Sequence, residues 1–249
     1  MVDTQEICHC KICDPKNKFN DCICNEEFKN FYPIYNEISN VSQIKGVNII
    51  KRWSISTMTI CCSFNCNIDI HRYVNIYNNK QEMKFYNCIN TYISTKYQNK
   101  NKVSIKIFTN GNIQLAGILN ITSATYTIRK IFKRLKNIDA FTYITEPYIS
   151  NVRICMINSD FKIDKNIKQS QLCNIIDNND YSFIKRYSFI PSKYPGINIK
   201  IKEKDDKYIT CCVFRPGSII ITGGNNLEIY KQSFENLLNI LKNNNSILY

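Results

Sequence analysis

Two stretches of this chain are copies of one another, and an internal repeat restricts the possible folds more than any composition does. Residues 103–137 lie over residues 209–243 without a gap. Phe108 then falls on Phe214, Gly111 on Gly217, Ile113 on Ile219 and Gly117 on Gly223. Asn120 meets Asn226, and Leu135-Lys136-Asn137 meets Leu241-Lys242-Asn243. Each copy reads as strand, tight turn, strand, short loop and helix. The turns Thr109-Asn110-Gly111-Asn112 and Arg215-Pro216-Gly217-Ser218 both carry the glycine with which hairpins reach positive φ. Three zones follow: a Cys-rich extension over 1–48, a first repeat over 49–139 and a second over 140–249.

The strands alternate with period 2. Ile105, Ile107, Ile113 and Leu115 point one way, and Lys106, Phe108, Gln114 and Ala116 the other. In the second copy Cys211, Val213, Ile219 and Ile221 oppose Cys212, Phe214, Ile220 and Thr222. The segments that follow have helical spacing, through Ile128, Ile131, Phe132 and Leu135, and through Ile229, Phe234, Leu237, Leu238 and Leu241. Each copy therefore packs a helix on one face of its strands and leaves the other face free. That free face, with Phe108, Phe214, Ile220 and Thr222, is too apolar for plain solvent. It either lies under a second protein layer or is a ligand surface displayed twice.

Val213-Phe214-Arg215-Pro216-Gly217-Ser218-Ile219-Ile220-Ile221-Thr222-Gly223, followed by Glu228-Ile229-Tyr230-Lys231-Gln232-Ser233-Phe234-Glu235-Asn236, resembles the second repeat of the TATA-box-binding protein family. Ile107-Phe108-Thr109-Asn110-Gly111-Asn112-Ile113-Gln114-Leu115-Ala116-Gly117 is the first-repeat counterpart. Pro191-Ser192-Lys193-Tyr194-Pro195-Gly196-Ile197 looks like the family's stirrup segment, and Phe85-Tyr86-Asn87-Cys88 lies where the other stirrup belongs. The resemblance runs from about Arg52 to Asn243, and its divergent, Asn-rich style is similar to the versions of large DNA viruses.

The resemblance implies an α+β saddle in which two pseudo-symmetric repeats form one curved antiparallel sheet with helices on the convex side. The concave face of such a saddle sits in a widened minor groove. This family is itself the type example of that kinking, which is therefore not an inference from this chain. By position, the wedge aromatics that unstack base steps would be Phe85 and Phe108 in one repeat, Tyr194 and Phe214 in the other. Groove contacts would come from Ile220 and Thr222 and from Gln114 and Ala116, with Lys106 and Cys212 standing where the family places Leu. Asn151 would be one of the family's paired groove asparagines, with Thr57 as its first-repeat mate, and Lys200 a phosphate contact. The implied partners are double-stranded A·T-rich promoter DNA, a B-like initiation factor and the RNA polymerase machinery. Ile190 and Ser192 replace the acidic pair to which the B factor binds. The basic helix face of Arg129, Lys130, Lys133, Arg134 and Lys136 is either a partner surface or a solvated one.

Composition agrees with a polyanionic partner, since Lys and Arg exceed the acids to leave a net charge of +13. Met1-Val2-Asp3-Thr4-Gln5-Glu6 lacks a basic start and an apolar stretch, and no run approaches a membrane span. An intracellular, reducing setting is expected, in the nucleus or a viral transcription compartment, with no membrane partner. The thirteen cysteines, such as the pairs Cys61-Cys62 and Cys211-Cys212, then read as small buried apolar groups. Cys10, Cys13, Cys22 and Cys24 have spacing suited to a structural zinc, and equally suit reduced thiols on a loose arm. No cofactor is otherwise required. No nucleophile elbow or carboxylate pair is found, and His9 and His71 are the sole histidines, so the chain is not expected to be an enzyme. A saddle kept as an adaptor without DNA, or as an accessory domain of a DNA-processing enzyme, is the alternative.

Overall fold

The computed structural model describes residues 31–44, 46–77, 86–95, 102–142, 146–202 and 208–249. Among them two compact units form, the first from residues 57–155 and the second from residues 31–56 together with 156–249. The elements in chain order begin with α1 (Phe31–Ser39), β1 (Gln43–Ile44) and the long β2 (Val47–Ser63). The first unit continues with β3 (Asn67–Ile68), α2 (Ile70–Tyr77), β4 (Cys88–Ser94), β5 (Lys102–Phe108), β6 (Asn112–Ile118), α3 (Ile121–Asn137) and β7 (Phe141–Thr142). Long β8 (Ser150–Ile163) leads to α4 (Gln169–Asn178), β9 (Ile184–Ser188), β10 (Gly196–Lys202), β11 (Tyr208–Phe214), β12 (Ser218–Thr222) and α5 (Leu227–Asn243).

In the first unit the strand order is β4-β5-β6-β2, and in the second β9-β10-β11-β12-β8, with antiparallel pairing throughout. Period-2 alternation decides which face is covered. Ile105, Ile107 and Leu115 have no exposed surface, nor do Cys211, Val213, Ile219 and Ile221. Against them pack Ile128, Ile131 and Leu135 of α3 and Phe234, Leu237, Leu238 and Leu241 of α5. The hydrophobic effect thus fixes one face of each sheet under its helix.

Local signals mark the same positions in both copies. Asn120 caps α3 by accepting from the Ser123 amide at 2.8 Å, and Asn226 caps α5 from the Glu228 amide at 2.9 Å. Gly111 and Gly217 take φ of +83° and +80° in the hairpin turns. A Cβ at either would collide with a backbone carbonyl, of Cys66 or of Lys165, so glycine is required twice over.

The α5 stripe differs from its expectation in one place. Ile229 is half-exposed and Tyr230 is fully buried instead. The reason is polar: the Tyr230 hydroxyl donates to the Ile157 carbonyl and accepts from the Gly224 amide at 3.2 Å. The second unit also carries a flank from outside its own repeat. Helix α1 buries Phe31 and Ile38, sets Tyr35 5.6 Å from the Trp53 ring, and ties to α5 through Glu37 and Lys231 at 2.7 Å.

Candidate nucleic-acid interface

In each unit the strand face turned away from the helix is open among the described residues. In the first unit the ladder aligns Asn90, Lys106, Gln114 and Cys61 in one row, and Tyr92, Ser104, Ala116 and Thr59 in the next. Lys106 and Tyr92 are exposed; Phe108, Gln114, Ala116, Ser104, Thr59 and Cys61 are half-buried. In the second unit the rows are Asn198, Cys212, Ile220 and Asp160, then Arg186, Lys200, Thr210, Thr222 and Asn158. Ile220, Thr222, Phe214, Asn158 and Asp160 are half-buried. Among the described residues, therefore, Phe108 and Phe214 are not sealed under helices, and no second protein layer covers either face.

Tyr194 and Phe214 stand together. Their centroids are 5.7 Å apart, edge to face, and Tyr194 is 39% exposed. Phe214 is paired in the ladder with Gly196, where a Cβ would come within 2.9 Å of the Phe214 ring and 3.0 Å of the Tyr194 ring. Glycine leaves room for both rings to close over the strand. Burial raises the Tyr194 phenol above its ordinary pKa, with the Cys212 thiol adding to the shift. Cys212 corrects its own expectation as a surface contact: it is 7% exposed and its Sγ donates to Asn198 Oδ1 at 3.1 Å. It seats Tyr194 and Asn198 and presents little surface itself.

Lys200 is held in the open row. Its ammonium donates to Thr210 Oγ1 at 2.7 Å and lies 4.3 Å from the centre of the Tyr208 ring. Asn151 and Thr57 are not equivalents. Asn151 is exposed with φ of +51° in the first unit, whereas the ladder makes Thr59 and Asn158 the matching pair. Sequence reasoning missed Asn158, Asp160, Asn90 and Asn198. Period-2 counting back from Phe161 finds Asp160 and Asn158; the phase then switches, since Val152 and Ile154 are also buried. Phe85 and the set Cys10, Cys13, Cys22 and Cys24 lie outside the described residues.

The described cysteines behave as apolar groups. Burial, then contact with Cys155, pushes the half-buried Cys61 thiol up to about 12, and burial likewise raises Cys62 and Cys211. These thiols stay protonated at neutral pH. Along α3, Arg134 stacks 5.4 Å from the Tyr77 ring and Lys136 pairs with Glu146 at 3.0 Å, while Lys133 is exposed.

A duplicated antiparallel unit with one helix-covered face and one open, aromatic-bearing face is the architecture of TATA-box-binding proteins. The sequence model for "Transcription factor TFIID (or TATA-binding protein, TBP)" matches residues 153–244. The chain is 31% identical over 163 residues to the TATA-box-binding protein-like protein of Acanthamoeba polyphaga mimivirus, a match covering 58% of this chain and 44% of that one. It thus spans less than half of that relative's length. The TATA-box-binding protein of Methanocaldococcus jannaschii is 25% identical over 141 residues, covering 57% of this chain and 69% of its own. A solved structure of Methanococcus jannaschii TBP superposes with a TM-score of 0.61 at 20% identity, over 77% of this chain and 98% of that one, which shows the shared α+β fold. Residues 153–244 thus match the TATA-box-binding protein family model, and the chain is similar to the mimivirus and archaeal proteins of that name and shares the archaeal fold.

Proposed function

We propose that this protein is a promoter-binding initiation factor that inserts its open faces into the minor groove of A·T-rich DNA and bends it. The observation that carries the reading is the matched pair Phe108 and Phe214. They occupy the same place in both repeats, at the end of a strand before the hairpin glycine, and neither is sealed by a helix. Apolar wedges at such places unstack base steps, at a cost of about a few kcal/mol per step that is offset by the surface a bent duplex brings into contact. Around them Ile220, Ala116 and Thr222 offer an apolar floor, and Lys106 and Lys200 supply charge toward acceptors or phosphates.

In this reading the protein acts by binding, and recruitment falls to the rest of its surface. A B-like initiation factor and RNA polymerase machinery are the partners, in the nucleus or a viral transcription compartment. The second stirrup presents Ile190, which is 49% exposed, where the family carries acid, so the B-like partner meets an apolar contact there. Selection of binding sites from random duplexes tests the reading. A·T-rich sites with a flexible pyrimidine–purine step at each end are expected. Recovery of G·C-rich or random sequence would contradict it, and no recovery at all would favour an adaptor that has left DNA behind.

A further inference from the structure

The open face of the second unit carries a carboxylate. Asp160 lies beside Ile220 in the ladder, with its Oδ1 accepting from Ser56 Oγ at 2.6 Å and its Oδ2 paired with Lys51. With Ser56, Asn158, Ser218, Ile220 and Thr222 it lines a cavity of about 430 Å³. Beside it, Asn158 Oδ1 accepts from the Thr222 hydroxyl. A carboxylate has room for about four hydrogen bonds and here uses two, which leaves lone pairs for a donor entering the cavity. The matching position in the first unit is Cys61, and its row holds the donors of Lys106 and Gln114.

The minor groove has a short chemical alphabet. A·T pairs offer acceptors alone, and a G·C pair adds one donor, the guanine N2 amine. An acceptor-only side chain set against an A·T pair opposes acceptor to acceptor, whereas against guanine it makes a charge-assisted hydrogen bond. We infer that Asp160 is a specificity-determining residue that selects one G·C pair, through its minor-groove amine, in the half of the site under the second unit. The matching row of the first unit holds Asn90, Lys106, Gln114 and Cys61 and no carboxylate, so that half stays on A·T pairs and the two halves of the preferred site differ. This inference rests on the minor-groove reading above.

The test uses the full chain and a panel of otherwise A·T-rich duplexes, each with one G·C pair moved through the site. A second panel replaces each guanine by inosine, which still pairs with cytosine, through two hydrogen bonds instead of three, keeps the major-groove edge and lacks the N2 amine. At one position G·C is expected to bind about tenfold tighter than I·C, the lower end of discrimination by a well-placed base contact. Asp160→Ala is expected to bring that ratio to about one, with A·T sites bound as well as or better than before. Asp160→Asn keeps the shape should the alanine variant fold poorly, and is expected to lower the ratio to about threefold or less as a neutral amide replaces the charge. Equal or tighter binding of I·C at every position, in duplexes that still bind, would overturn this inference alone. Failure of every duplex to bind would defeat the minor-groove reading and this inference with it.

Discussion

The open faces of the two units share one backbone frame and differ in what the frame carries. In the first, Lys106, Gln114 and Asn90 make a polar, donor-rich row; in the second, Cys212, Ile220 and Asp160 occupy the same row. Beneath them the covered faces are nearly interchangeable: Ile105, Ile107, Ile113 and Leu115 against Cys211, Val213, Ile219 and Ile221, none more than 1% exposed. Close packing explains the contrast, because a buried position must fill a fixed volume against its helix while an open one is free of that constraint. Duplication preserved the architecture and left the two open faces free to diverge.

The comparison can be broken first at the wedges. Phe108→Ala and Phe214→Ala should each weaken DNA binding by about a hundredfold, the scale of an aromatic hot spot of roughly 2–4 kcal/mol. Both rings are half-buried, so melting temperature should fall little, and gel-shift titration beside thermal melts separates the two effects. Gly196→Ala should act on the second unit alone. Its Cβ displaces the Phe214 and Tyr194 rings, and a loss of about tenfold, smaller than outright truncation, is expected in the same titration.

A second difference sharpens through salt. Lys106→Ala should reduce the slope of log affinity against log salt by about 0.9 if the ammonium displaces one counterion. Cys212→Ala, at the equivalent place, removes no charge and should leave the slope unchanged even where affinity drops through the loosened Tyr194. Equal slopes for both variants would mean that Lys106 does not meet the duplex.

In the core the difference is Tyr230, whose counterpart in the first repeat is Ala124. Tyr230→Phe strips the hydroxyl from the Ile157 carbonyl and the Gly224 amide, and should cost about 1–3 kcal/mol of stability by chemical denaturation. The smallest effect belongs to α1. The hydrogen bond that Lys231 donates to Glu37 raises its ammonium above the ordinary lysine pKa. A raised ammonium pKa stabilises fully below the unfolded value and ceases to do so as pH climbs through the folded one. Glu37→Gln should therefore lower the melting temperature slightly at neutral pH and flatten its decline in that alkaline window. An exposed pair contributes little, so a large shift would indicate that α1 itself had come away.

The parts of this molecule that were legible in sequence are those fixed by local or periodic chemistry. Asn120 and Asn226 announce helix starts, Gly111 and Gly217 announce turns, and period-2 alternation sorts Phe108 and Phe214 onto the uncovered side. What sequence hid depends on partners distant along the chain. Cys212 looks like a surface residue until Tyr194 and Asn198 close over it. Asp160 is obscured because burial in β8 falls on Val152 and Ile154 and then on Ile157, Ser159 and Phe161, so one alternation does not run through the strand. Tyr230 displaces Ile229 from the core through hydrogen bonds to backbone groups on another strand and in the loop before its own helix, which no helical period encodes.

One measurement bears most directly on the whole account: energy transfer between dyes at the two ends of a short A·T-rich duplex as the full-length protein is added. The account predicts that the ends approach, saturating at one protein per duplex, and that Phe108→Ala and Phe214→Ala each diminish the approach. Tight binding with the end-to-end distance unchanged would show that these aromatic faces do not pry the duplex open.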